Sequence, residues 1–232
     1  MGLEDKQSSN AIYLNVVAGK VAQRLKEHIE DGQGNRISVE RKTKDKDNNE
    51  ITVIERHHTG IGGIVQKAEV NKGKFGLEII MEIRDDKLYH LTIPLKSSYG
   101  RGVLYRIPNI DSSKFFTIRP YSFINDDGDK KVGVVVIQEG MGFEDDKVPP
   151  YWTKSDPKGL PEIVVTEGLE GEKEYNDTER RKYLVNTFND WASKIGGIPQ
   201  SEEELEKALE ETAQEVAQPT DDNSNEVDDL PF

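Results

Sequence analysis

The chain has 232 residues, 44 acids against 31 Lys and Arg for a formal charge of −13, 34% hydrophobic residues and no cysteine. The missing cysteines exclude disulfides, iron–sulfur clusters and thiol catalysis, and with no run of about 18 apolar residues a membrane-spanning helix is excluded. The low apolar share means that part of the length does not pack into a core.

The charge is unevenly placed. From Ser201 onward there are twelve acids and one base, a formal −11, while residues 1–200 hold 32 acids and 30 bases. Up to Lys158 the balance is 25 bases to 24 acids. The acidity therefore belongs to the end of the chain and does not bar nucleic acid from the rest. The start, MGLEDKQSSN, lacks the apolar segment of a leader, which predicts a soluble, cytoplasmic protein.

Residues 1–58 read as a strand-rich N-terminal extension of the core: IYLNVVAGKVAQRL, NRISVERK and NEITVIERHHT are extended, and KTKDKDNNE between them is a charged loop. Residues 59–140 read as five strands with one helix. GIGGIVQKAEV is a strand with glycines near its start. FGLEIIMEIR places Phe75, Leu77, Ile79, Met81 and Ile83 on one face, and after a turn at Asp85-Asp86, KLYHLTIPL does the same with Tyr89, Leu91, Ile93 and Leu95. Ser97 or Ser98 caps a short helix ended by Pro108. KFFTIRPYSF and KVGVVVIQE follow, joined by the turn Asn125-Asp126-Asp127-Gly128. This order predicts a mainly β protein built on an OB-fold, a five-stranded Greek-key barrel with a helix between its third and fourth strands. Glycines in the first strand suit the bend that closure demands.

Residues 141–198 read as a Pro-rich loop and a packing helix. Asn176 as N-cap with Glu179 at N3 starts that helix, Leu184, Phe188, Trp191 and Ile195 form its apolar stripe, and Gly196-Gly197 ends it. Residues 199–217 read as an acidic helix, with Ser201 and Glu204 as its capping box. Residues 218–232 read as a disordered acidic tail.

The tail ends in Asp228-Asp229-Leu230-Pro231-Phe232. Two acids attract a basic surface, Leu230 and Phe232 bring apolar area, and Pro231 lowers the ordering cost, which is the make-up of a linear peptide ligand. VDDLPF resembles the acidic tip of bacterial-type single-stranded DNA-binding proteins, which characteristically ends Asp-Asp-Asp-Ile-Pro-Phe. It departs by Val227 for the first Asp and Leu230 for Ile. The resemblance covers about five residues and implies an OB-fold that wraps single strands, a flexible linker, and a tip that docks helicase, polymerase, nuclease or recombinase partners in DNA replication, recombination and repair. The remaining sequence departs from the usual bacterial core, as in a divergent or bacteriophage-encoded member acting in the host cytoplasm.

Sequence-tolerant binding of a single strand needs aromatic faces for bases and cations for phosphates. Alternation along the strand at Phe115 sends Phe116, Ile118, Pro120, Ser122 and Ile124 one way, and Phe115, Thr117, Arg119, Tyr121 and Phe123 the other. That second face is either a stacking surface or is covered by the helix at Leu184 to Ile195. Tyr99, Arg101, Tyr105 and Arg106 add rings and cations in the short helical segment, Tyr151 and Trp152 add a candidate platform, and Arg41, Lys42 and Lys44, with Lys46, form a cationic run suited to a phosphate backbone.

No enzyme signature occurs. There is no GxxxxGK[ST], Gly60-Ile61-Gly62-Gly63 lacks the third glycine of a dinucleotide fingerprint, and the four histidines have neither i, i+4 spacing nor cysteines beside them. Neither catalysis, a metal nor a cofactor is expected. The leading expectation is a protein that coats single-stranded DNA and recruits partners through its tip; the alternative is a replication or recombination accessory acting through the tip without coating DNA. A barrel edge or the stripe from Leu184 to Ile195 could carry a homo-oligomer, though neither demands one.

Overall fold

The computed structural model describes residues 11–45, 48–73, 76–167 and 173–196. Strands β1 (Ile12–Val17) and β2 (Lys20–Leu25) form a hairpin through Ala18 and Gly19, both at positive φ as a type I′ turn requires. β3 (Val39–Lys44) and β4 (Glu50–His58) form a second, more polar hairpin, and β4 pairs with β2. β5 (Ile61–Gly73), β6 (Gly76–Arg84) and β7 (Leu88–Pro94) make an antiparallel meander. Helix α1 (Ser98–Leu104) and a 3-10 turn at Ile107–Asn109 follow, then the paired strands β8 (Phe116–Ile124) and β9 (Lys130–Ile137).

All nine strands lie in one mixed sheet, in the order β3-β4-β2-β1-β7-β6-β5-β8-β9, antiparallel throughout except for β1 beside β7. Two-residue alternation decides its faces. Leu77, Ile79, Met81 and Ile83 of β6 and Leu91 and Ile93 of β7 are all buried in the core. β5 carries a bulge between Val65 and Lys67, which bends it so that its first residues pair with β8 and the rest with β6.

The helices sit where the sequence signals them. Ser97 caps α1, its Oγ accepting from the Gly100 N–H at 3.1 Å, and α1 buries Val103 and Leu104. α2 (Thr178–Ser193) packs on β5, α1 and the 3-10 turn through Leu184, Val185, Phe188 and Trp191, and the Trp191 indole donates to the Ile110 carbonyl at 3.2 Å. The Asn176 side chain accepts from the Thr178 N–H, but the N-cap is Asp177, one residue later than expected. A separate hairpin of β10 (Val164–Glu167) and β11 (Lys173–Asn176) was not expected from the Pro-rich composition.

The chain is mainly β, with a C-terminal helix after the sheet, as expected. The closed five-stranded barrel is not found. The physical reason is the N-terminal hairpin: β1 takes the free edge of β7 in parallel, and β9 ends the sheet as an edge strand. The sheet nevertheless curls until β2 touches β8. The turn of the first hairpin lies flat on β8, since a Cβ on Gly19 would overlap the backbone of Tyr121 and Ser122, and the Gly19 N–H donates to the Tyr99 hydroxyl at 2.7 Å. Lys46, Phe75, the helix read at 199–217 and the tail with its tip at 228–232 lie outside the described residues.

Candidate nucleic-acid interface

The strand β8 alternates as its sequence dictates up to Pro120: Phe116, Ile118 and Pro120 are buried, while Arg119 and Phe123, and Phe115 just before the strand, stay exposed. The pattern lapses at its end, where Ile124 is exposed instead of buried. Phe115 retains 50% and Phe123 54% of their surface, so α2 does not cover them. Tyr121 leans over Gly133 of β9, where a side chain would strike its ring, and its own ring lies 5.7 Å from that of Phe123. Rings and a guanidinium thus line one strand face.

That face continues across β5. Gly62 is paired with Thr117, and a Cβ there would come within 2.9 Å of the Phe115 ring; a Cβ on Gly60 would come within 2.8 Å of the Arg119 side chain. The two glycines therefore let Phe115 and Arg119 lie over the strand. Gly60 and Gly62 also line a cleft of about 400 Å³ bordered by β1, β2, β4, the start of β5 and the turn leading into β7. Its floor is the buried Leu14, Val21 and Ile61, and its margin carries Arg56, Lys87, His58 and Asp85.

Among the described residues, the side chains of Arg56, Lys87 and Arg119 form no ion pair or hydrogen bond. His58 is held below the usual histidine pKa, first by burial and then by the charges of Arg56 and His57. Tyr89, also on the cleft, donates to Asp86 at 3.0 Å. The surface thus combines free cations with exposed rings.

The other residues singled out by sequence are used differently. Tyr105 and Trp152 keep 4% and 1% of their surface and belong to the core, edge to face at 6.2 Å, which corrects their reading as stacking residues. Tyr151 is half-buried, edge-on to Trp152 and covered by the Lys158 ammonium at 4.0 Å. Arg106 turns inward to donate to the carbonyls of Val148 and Gly102, and burial pushes its pKa down. Arg101 is half-buried at α1, and Tyr99 is tied to Gly19.

On β3, Arg41 grips the buried Glu55 through both Nε and Nη2, the shortest contact 2.7 Å, so it is not the free phosphate ligand its run suggests. Lys42 pairs with Glu50 at 2.9 Å, and Lys44 is exposed. β3 stands at the opposite end of the strand order from β8 and β9.

Arg56, His58 and Lys87 were missed as a group. The strand alternation at Ile54, Arg56 and His58 was the available signal, but only the approach of β4 to the turn after β6 makes it meaningful. Among the described residues no group of three or more His, Asp or Glu is placed to hold a metal ion, and no helix is long and apolar enough to cross a membrane. No family model, curated protein or solved structure matches the chain.

Proposed function

We propose that the chain binds single-stranded DNA without strong sequence preference, along the outer face of β8, and recruits replication and repair enzymes through Leu230-Pro231-Phe232. The observation that carries the reading is the pair of half-exposed phenylalanines, Phe115 just before β8 and Phe123 within it, flanking an Arg119 that has no ion-pair partner among the described residues. Leaving two phenyl rings in water gains the fold nothing, whereas each ring can stack a base for about 1 to 3 kcal/mol. The run of β5, β6, β7, α1, β8 and β9 supports relating this half of the sheet to the OB architecture, opened by the insertion of β1.

The test is a titration of a labelled dT oligomer, followed by anisotropy at several salt concentrations. Phe115→Ala and Phe123→Ala should each weaken binding about tenfold, within the stacking range, and affinity should fall as salt rises. Absence of binding to oligomers of any length at low salt would sink the proposal.

The near-neutral charge of residues 1–158 favours a second reading, an accessory that works through the tip without coating DNA. Deleting the last ten residues separates the two. A coating protein keeps or gains DNA affinity, because competing acids are removed; an accessory loses its activity.

A further inference from the structure

The face of β8 does not end at the sheet. Phe115 and Arg119 lie across Gly62 and Gly60, and the same two glycines form one wall of the cleft carrying Arg56 and Lys87. Two cations that have no ion-pair partner among the described residues, at the rim of a cleft floored by buried apolar side chains, form an anion site. Asp85 on the same rim subtracts one charge, leaving a net positive margin before His58 is counted. The cleft is of a size that holds one small organic group.

We infer that the single strand turns off β8 over Gly60 and Gly62 into this cleft, where Arg56 and Lys87 hold the phosphates on either side of one nucleotide. This rests on the reading of β8 as a single-strand surface and adds to it a path and a second anchor. The rings on β8 then supply stacking, while the cleft supplies charge. The two bare glycines seat the side chains that border the crossing: a methyl on Gly62 would meet the Thr117 Oγ1 at 2.8 Å and the Phe115 ring at 2.9 Å, and both are side chains able to shift.

The experiment is a salt series of dT-oligomer binding with the full chain, Arg56→Ala/Lys87→Ala, and a charge-matched control, Lys42→Ala/Lys44→Ala on β3. Each phosphate neutralised on a single strand adds about 0.7 to the slope of log affinity against log salt. Losing both contacts should flatten the slope by about 1.4, which at 0.1 M salt corresponds to about a 25-fold loss relative to 1 M. The β3 control should keep the parent slope. Arg56, Lys87, Lys42 and Lys44 are all exposed, so these variants fold, as far-UV circular dichroism would verify. Gly62→Ala, which displaces the Phe115 ring, should weaken binding while leaving the slope alone. A parent slope in Arg56→Ala/Lys87→Ala, or equal flattening in both double variants, overturns the cleft path and leaves the β8 reading standing. No oligomer binding by the parent overturns both.

Discussion

Removing Arg41 should destabilise the fold without touching DNA binding. Its guanidinium donates twice to Glu55, at 3.0 and 2.7 Å, and the Glu55 side chain keeps only 5% of its surface. Taking one partner from a buried ion pair costs about 3 to 5 kcal/mol, because a desolvated charge is left behind. Two features put Arg41→Ala at the lower end. His57 still lies 3.0 Å from Glu55, and Arg41 itself is 34% exposed. A loss of about 3 kcal/mol in a chain of this size lowers the melting temperature by roughly 6 to 12 °C. Adding Glu55→Gln to Arg41→Ala should recover part of that loss, since a buried amide is easier to satisfy than a buried carboxylate. Urea and thermal denaturation of the parent, both single variants and the double complete the cycle. At temperatures where the variant is folded, its oligomer affinity should stay within about twofold of the parent's, an effect well under 1 kcal/mol. Stability within about 0.5 kcal/mol of the parent, the scale of an ordinary surface change, would refute the burial argument. A folded variant binding DNA tenfold more weakly would show that Arg41 is a phosphate ligand after all.

The same carboxylate predicts an acid limit. Burial acts to raise the Glu55 pKa, but hydrogen bonds from Arg41 and His57 outweigh it and hold the group below its ordinary 4.5. A depressed carboxylate contributes stability that is present above pH 4.5 and lost as pH falls through its folded value; urea midpoints should drop in that window, and less so in Glu55→Gln. Gly100→Ala should destabilise by about 1 to 3 kcal/mol even though alanine is the better helix former, because a methyl there meets the carbonyl oxygens of Pro94 and Leu95; a raised urea midpoint would contradict the tight seat of α1 on β7. Trp191→Phe removes the indole donor to Ile110 and should lose about 1 kcal/mol or more by the same measurement, with unchanged stability speaking against α2 as a clamp on that turn.

Local periodicity made the middle of the chain legible. Leu77 through Ile83 and Leu91 through Leu95 alternate cleanly, because a strand buried on one face leaves a period of two in its own residues. Ser97 announced α1, and Leu184, Phe188 and Trp191 announced α2, since caps and stripes are also written within a few neighbouring positions. The outward face of β8 was readable for the same reason as far as Pro120, though whether anything covered it was not.

Edges and distant partners carry no such mark. Nothing in IYLNVV says that it will pair in parallel with a strand some 75 residues later, yet that choice keeps the sheet from closing. Arg41 looks like one cation in a basic run until Glu55 is brought beneath it, and Trp152 looks like a stacking platform until the core closes over it. Arg56 and Lys87 become neighbours of one cleft only when β4 and the turn after β6 meet. The sequence by itself therefore determined which faces are apolar, where α1 starts and, to within one residue, where α2 starts, and where the charge lies, because those depend on residues close along the chain. The tertiary structure alone decided which strand edges pair and which cations remain free, because these depend on contacts between segments whose spacing no local pattern records.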